Sequence, residues 1–119
     1  MTKPNPIPLY YKLDSNHEVV LCKSVLEWGE WMHQHSKDRI VKQDSVGPLW
    51  VSTVFLGLDH SIFADRLQLF ETMIFDEFHD DYQTRCSTWD EALTMHETAM
   101  GVARALVEKA KDLVDGRRT

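Results

Sequence analysis

Two apolar segments rich in Val, Thr, Phe and Ile, residues 49–56 and 69–75, predict two β-strands. Along the first segment, successive side chains point to opposite faces of the strand. One face carries Trp50, Ser52, Val54 and Leu56, and the other carries Val51, Thr53 and Phe55. Neither face is purely polar, which is typical of a central strand covered on both sides or lying at an interface. We expect the two strands to pair antiparallel, joined by the long connection 57–68.

Helical spacing of apolar residues occurs twice, each time after a capping box in which a hydroxyl and a glutamate satisfy backbone amides. The box Ser24–Glu27 opens a helix whose apolar face comprises Val25, Trp28, Trp31, Met32 and His35. The box Thr88–Glu91 opens a long helix that runs to about Val114, with Gly116 as a stop. Its apolar stripe comprises Trp89, Ala92, Leu93, His96, Ala99, Met100, Ala103, Leu106, Val107, Ala110, Leu113 and Val114. We expect this whole stripe to pack on the sheet.

The remaining segments complete the predicted fold. Short strands are predicted over residues 10–13, 18–23 and 39–43. The acidic residues 76–86 predict an irregular connection. Prolines keep residues 1–9 extended as an N-terminal arm, and residues 116–119 form a basic tail. The sequence therefore predicts one α+β domain over residues 10–115, an antiparallel sheet covered by two helices of which the C-terminal one is long.

Composition and charge narrow the class of protein. The chain is 43% hydrophobic and 27% charged, and no apolar run approaches the roughly 20 residues of a membrane span, so no membrane partner is expected. The net charge is −6 and the basic residues are scattered, so binding to duplex nucleic acid is not expected either. An acidic surface is compatible with a basic protein partner. The proline-rich N-terminus lacks the apolar region of a signal peptide, which favours a cytoplasmic location.

The two cysteines, Cys22 and Cys86, have no zinc-ligand spacing and are expected to be free thiols. Cys22 ends an apolar run and is interpreted as a small core residue. Cys86 lies just before the long helix, where the helix dipole could stabilise a thiolate.

Two polar residues lie where burial would be costly without a partner. Glu71 lies inside the second apolar strand, and a structural ion pair with His96, Arg85 or Arg66 is the favoured interpretation. His96 lies on the apolar stripe of the long helix, where a core histidine bonded to a carbonyl or carboxylate is the favoured interpretation. The functional alternative for His96 is a ligand-binding or metal-ligating group facing the sheet.

A ligand pocket is the functional hypothesis that these residues support. Asp59 and His60 follow a strand end, where loops place binding groups on a rigid scaffold. We expect Asp59, His60, Glu71 and His96 to converge on one pocket, with Arg85 contacting an anionic group. An alternative is a metal site formed by His60, Glu71 and His96. The HExxH, GxSxG, P-loop and Rossmann patterns are absent, so no reaction is indicated and no cofactor is expected.

The aromatic residues have two interpretations. Trp28, Trp31, Trp50 and Trp89 are expected to be mostly core, although they could also form a stacking pocket for a base. Together with the apolar residues on both faces of the central strand, they offer more apolar surface than a small sheet covers. We therefore expect a two-fold homodimer.

A longer series of residues resembles a known family. The series is Val51-Ser52-Thr53-Val54, Leu56-Gly57-Leu58-Asp59-His60, Phe70-Glu71-Thr72-Met73, Phe75, Thr88, Glu91-Ala92 and His96. It resembles a small family of bacteriophage and prophage proteins that has no established activity. The polar positions that match are Ser52, Thr53, Asp59, His60, Glu71 and His96. The chain departs from the family at Asp76–Asp81, where a glycine-rich segment is usual, and at Arg85–Cys86, near which a tyrosine is usual.

The resemblance implies a phage-encoded accessory protein that binds rather than catalyses. By analogy it would counter host defence in the host cytoplasm, by sequestering a small nucleotide-type signal or by occupying a defence protein. Its partner would be a small anionic ligand or that host protein. The alternatives are a small metal-dependent hydrolase and a virion or morphogenesis component.

Overall fold

The computed structural model describes residues 9–59, 66–77 and 79–116. Its elements are β1 Tyr11–Leu13, β2 Val19–Leu21, α1 Val25–Gln34, β3 Ile40–Val46, β4 Leu49–Phe55, β5 Phe70–Phe75, β6 Tyr82–Cys86 and α2 Trp89–Gly116. The fold is α+β, as predicted, and α2 is the long helix. Residues 1–8 of the predicted arm and 117–119 of the predicted tail lie outside the described residues. No helix in the described part of the chain is both long and apolar enough to cross a membrane.

The main sheet has four strands in the order β3-β4-β5-β6, and every neighbouring pair is antiparallel. The predicted pairing of β4 with β5 is confirmed, and it sets Thr53 opposite Thr72 and Val54 opposite Glu71. Because side chains alternate along each strand, this register fixes which residues share a face of the sheet. Strands β1 and β2 form a separate two-stranded hairpin.

The prediction of an irregular connection over residues 76–86 is wrong for its second half, since β6 occupies Tyr82–Cys86. The strand lies at the sheet edge and pairs with β5 from Phe70↔Cys86 to Ile74↔Tyr82. Its alternate residues, Tyr82, Thr84 and Cys86, are half-buried, whereas Gln83 and Arg85 are exposed. Pairing with a strongly β-prone neighbour determines this strand more than its own weak propensity does.

Both helices lie on one face of the sheet. Helix α2 contacts all four strands through a stripe that buries Ala92, His96, Ala99, Met100 and Ala103. Helix α1 begins after the N-cap Ser24, whose Oγ accepts a hydrogen bond from Glu27 N at 3.1 Å. Its Trp31 packs edge-on against Phe55 of β4. No helix or strand of the described residues packs on the opposite face of the four-stranded sheet.

The expectation that the whole stripe of α2 packs on the sheet is wrong at Leu93, which is 39% exposed, and wrong again beyond Ala103. Leu106, Leu113 and Val114 are 48%, 58% and 48% exposed. The reason is length, because a 28-residue helix extends about 42 Å. A four-stranded sheet of this kind is only about 15 Å wide and about 23 Å long. The second half of the helix therefore projects past the sheet.

Candidate functional site

The face of the sheet turned away from both helices is the candidate site, and we call it the open face. Its members alternate with the buried residues of their strands. They are Ile40, Gln43, Ser45, Trp50, Ser52, Val54, Glu71, Met73, Phe75, Gln83 and Arg85. The surface mixes apolar side chains with amides and hydroxyls, and among the described residues it contains one carboxylate, that of Glu71, and one guanidinium, that of Arg85. A low charge and exposed aromatic groups are properties of the centre of a protein interface.

Trp50 is the most prominent residue of the open face. The prediction that it belongs to the core is wrong, because its side chain is 57% exposed. Its ring stacks beside that of Phe75 on the neighbouring strand, with centroids 6.3 Å apart and an interplanar angle of 20°. A rigid pair of aromatic rings on a sheet loses little conformational freedom on binding. The other predicted core tryptophans are at least partly buried, and Trp31 is only 9% exposed.

Glu71 is paired on the open face, as its structural interpretation predicts. Its partner is Arg85, whose Nε lies 3.0 Å from Glu71 Oε2, and Gln83 donates a second hydrogen bond to the same oxygen. Arg66 instead forms a two-pronged pair with Glu91, at 2.9 and 2.8 Å. The carboxylate of Glu71 is therefore neutralised within the sheet. Arg85, which was expected to contact an anionic ligand, is neutralised by the same ion pair.

His96 lies on the other side of the sheet, in the core. It is fully buried between α2 and the strands. Its Nδ1 is 2.7 Å from Thr53 Oγ1 and its Nε2 is 2.7 Å from Asp44 Oδ2. Thr53 is in turn hydrogen-bonded to Thr72. The prediction of a core histidine bonded to a carboxylate is confirmed.

The carboxylate of Asp44 determines the roles of these groups. An ionised carboxylate only accepts hydrogen bonds, so Nε2 of His96 carries the proton. Nδ1 is hydrogen-bonded to the hydroxyl of Thr53, and Thr53 to that of Thr72, and each hydroxyl can donate or accept. A hydroxyl, an imidazole and a carboxylate also make up a hydrolytic triad. Here, however, Thr53 is 0% exposed, so its oxygen has no access to a substrate.

The predicted convergence of four polar residues on one pocket is wrong. Glu71 lies on the open face and His96 on the helix-covered face, so no single pocket or metal site includes both. Ser52 shares the open face, where its hydroxyl accepts from Gln43 Nε2 at 3.0 Å. Asp59 Oδ1 accepts from Gln68 N at 3.1 Å and so closes its loop. His60 lies outside the described residues.

The described residues contain neither a metal-binding cluster nor an activated thiol. Among them, no cluster of three or more His, Cys, Asp or Glu side chains could hold a metal ion. Cys22 is buried, as predicted. Burial raises the pKa of Cys86 to about 11, with Glu91 adding to the effect, so the helix dipole does not yield a thiolate at neutral pH.

Sequence reasoning missed Asp44, Thr72 and Gln83. A signal for Thr72 was available, because Thr53 and Thr72 each lie between two apolar residues of the same parity in neighbouring strands. Asp44 gave no such signal, since it resembles an ordinary turn residue. Comparison with protein-family models, with curated proteins and with solved structures finds no match for this chain. The resemblance of residues 50–96 to phage proteins therefore stays a prediction.

Proposed function

We propose that this protein acts by binding another protein through the open face of its sheet. The observation that carries the proposal is Trp50, a large apolar ring that is 57% exposed on a regular strand. Aromatic residues of this kind are the side chains that contribute most to the affinity of protein interfaces. The neighbouring Phe75, Met73 and Val54 extend the apolar surface around it.

The chemistry of the face favours a protein over a small anionic ligand. Arg85 is already engaged by Glu71, whose side chain is only 13% exposed. An incoming phosphate would have to compete with this carboxylate. A sheet face is also flat, whereas small ligands are bound in concave pockets that enclose most of their surface.

Single-stranded nucleic acid is disfavoured for an electrostatic reason. Aromatic rings on a sheet can stack on bases, but such platforms combine stacking with a positive groove that follows the phosphates. In the part of the chain that the structure describes, the open face carries one cation, Arg85, which is paired with Glu71. The chain as a whole has a net charge of −6.

The resemblance of residues 50–96 to bacteriophage and prophage proteins supports a more specific proposal. The partner would be a host defence protein, met in the host cytoplasm, and binding would counter that defence. The apolar face supports the binding role, whereas the assignment to counter-defence depends on the resemblance alone.

The test is capture of partners from a lysate of the host bacterium by three immobilised proteins, followed by quantitative mass spectrometry. These are the natural chain, Trp50→Ser and Leu93→Ser. Leu93 is an exposed leucine of α2, 39% accessible, and lies outside the open face. We expect one host protein to be retained by the natural chain and by Leu93→Ser, and to be reduced about tenfold or more by Trp50→Ser.

Two results would refute the proposal. One is a captured protein that all three baits retain equally, because its contact would then lie elsewhere. The other is retention of a nucleotide and of no protein, which would favour sequestration of a small signal. Thermal melting of the variants checks that Trp50→Ser and Leu93→Ser remain folded.

A further inference from the structure

The second half of α2, residues 104–116, is a helix with little to pack against, and we call it the projecting half. Every residue in it is exposed except Val107, which is half-buried. Isolated helices of about this length are marginal in water. An apolar side on such a helix therefore indicates a surface that another element covers.

The projecting half presents its apolar side beside a groove. Leu106, Val107, Ala110 and Val114 form the helical wall, and the turn between β3 and β4 forms the opposite wall, with Val46, Gly47, Pro48 and Leu49. The groove measures about 950 Å³. At Gly47 the two walls lie close together, since an added Cβ there would be in van der Waals contact with the side chain of Val107, at 3.7 Å.

The charges on this helix form a self-complementary pattern. Arg104, Glu108, Lys111 and Asp115 alternate in sign, and all four line the groove. Glu108 and Lys111 already contact each other at 3.7 Å. If a second copy of the helix runs antiparallel about a two-fold axis between residues 109 and 110, Arg104 faces the partner's Asp115 and Glu108 faces the partner's Lys111.

The apolar residues obey the same symmetry. The same axis sets Leu106 opposite the partner's Leu113, and it passes within one residue of Ala110, whose small side chain allows close approach at the crossing. A parallel pair would instead set each charge against its own copy, which is destabilising. The charges therefore favour the antiparallel arrangement, and the pairing of Leu106 with Leu113 is compatible with it.

We propose that the projecting half is a homodimer interface, in which α2 pairs antiparallel with α2 of a second copy and fills its groove. The contact extends about 20 Å along each helix, which is at the small end of stable interfaces. The dimer is therefore expected at micromolar concentrations and above. The interface does not include the open face, so it leaves Trp50 available to a different partner.

The first test is sedimentation equilibrium of the full chain from 10 to roughly 500 micromolar, a range suited to an interface of this size. The natural chain should approach twice its 13.9 kDa monomer mass. Leu113→Gln, which keeps helix propensity, should lower the association constant about tenfold or more. The matched control is Leu93→Gln, an exposed leucine of the same helix outside the projecting half, which should leave it unchanged.

The second test uses the charges. Glu108→Lys and Lys111→Glu should each lower the association constant of the homodimer about tenfold at low salt. In either homodimer, positions 108 and 111 of the two copies carry like charges and face each other at two places. An equimolar mixture of the two variants should recover the association, since opposite charges then face each other. Mixing changes nothing within either helix, so recovery on mixing arises only from an intermolecular contact.

A monomer mass throughout the concentration range would overturn the proposal. A dimer insensitive to Leu113→Gln but lost in Trp50→Ser would also overturn it, because the open face would then be the dimer interface. A failure of the charge-swapped mixture to associate would exclude the antiparallel pairing. A monomer mass, or a charge-swapped mixture that fails to associate, would not affect the capture of a host protein through the open face. The homodimer proposal and the proposed function can therefore fail separately.

Discussion

At the scale of single residues, a chain of hydrogen bonds links polar side chains on the helix-covered face of the sheet. It runs from Asp44 through His96 to Thr53 and Thr72. Each group in it is satisfied by the next, so burial of these polar atoms costs little. Thr84 of β6 is opposite Thr72 in the register, yet its buried Oγ1 has no hydrogen-bond partner among the described residues.

This contrast between two threonines provides a matched prediction. Thr53→Val keeps the shape of the side chain but leaves His96 Nδ1 and Thr72 without a partner, and should destabilise the fold by about 1–3 kcal/mol. Thr84→Val removes a hydroxyl that has no partner, and should be neutral or stabilising by about 1 kcal/mol or less. Denaturant unfolding measures both changes in the free energy of unfolding. Equal losses of unfolding free energy in the two variants would show that the chain of hydrogen bonds contributes nothing specific to stability.

At the scale of elements, the first turn of α2 is held by a capping box and by a residue from the loop before β5. Thr88 Oγ1 accepts from Glu91 N at 3.1 Å, and Glu91 accepts from Ser87 N at 3.2 Å. Arg66 adds its two-pronged pair to the same carboxylate. These hydrogen bonds hold the pKa of Glu91 below its ordinary value, and those from Arg66 have the largest effect.

The sign of the resulting pH dependence follows from that direction. A carboxyl whose pKa is lower in the folded state contributes stability above its unfolded pKa of about 4.3 and loses it as the pH falls through the folded value. Glu91→Gln should therefore make the melting temperature fall less steeply than in the natural chain as the pH is lowered below about 4.5. Glu97→Gln is a comparison on the same helix away from the cap. If the melting temperature of Glu91→Gln falls with decreasing pH as steeply as that of the natural chain, this account of the helix start is contradicted.

The elements also show what a sequence can and cannot predict. Both capping boxes and the two β-prone segments are local patterns, and the helices and the β4–β5 pair were predicted from them. How far the sheet extends beneath α2 is not a local property of the sequence. The helical spacing of apolar residues places Leu106 on the apolar side of α2, but it could not reveal that the sheet ends before Leu106. Likewise, β4 is apolar on both faces, so alternation could not decide which face the helices cover. Glu71 and His96 were therefore assigned to one pocket although they lie on opposite faces.

At the scale of the whole molecule, the projecting half of α2 and the open face are two uncovered apolar surfaces of the described residues, and they differ in character. The projecting half of α2 has alternating charges that complement a second copy of itself. The open face has one internally neutralised ion pair around Trp50 and Phe75, and offers no such self-complementary pattern. We therefore assign the first surface to a second copy and the second to a different protein. A dimer would then present two open faces, which raises the apparent affinity for a partner that is itself oligomeric.

The most direct test of the central claim is photocrosslinking from the open face in cells. A photoreactive phenylalanine analogue replaces Trp50 in one variant and Leu93 in another, and both are irradiated during expression in the host bacterium. The analogue at position 50 is predicted to yield one discrete adduct with a host protein, whereas the analogue at position 93 yields none. No adduct from position 50, or an adduct only with a second copy of this chain, would contradict the account.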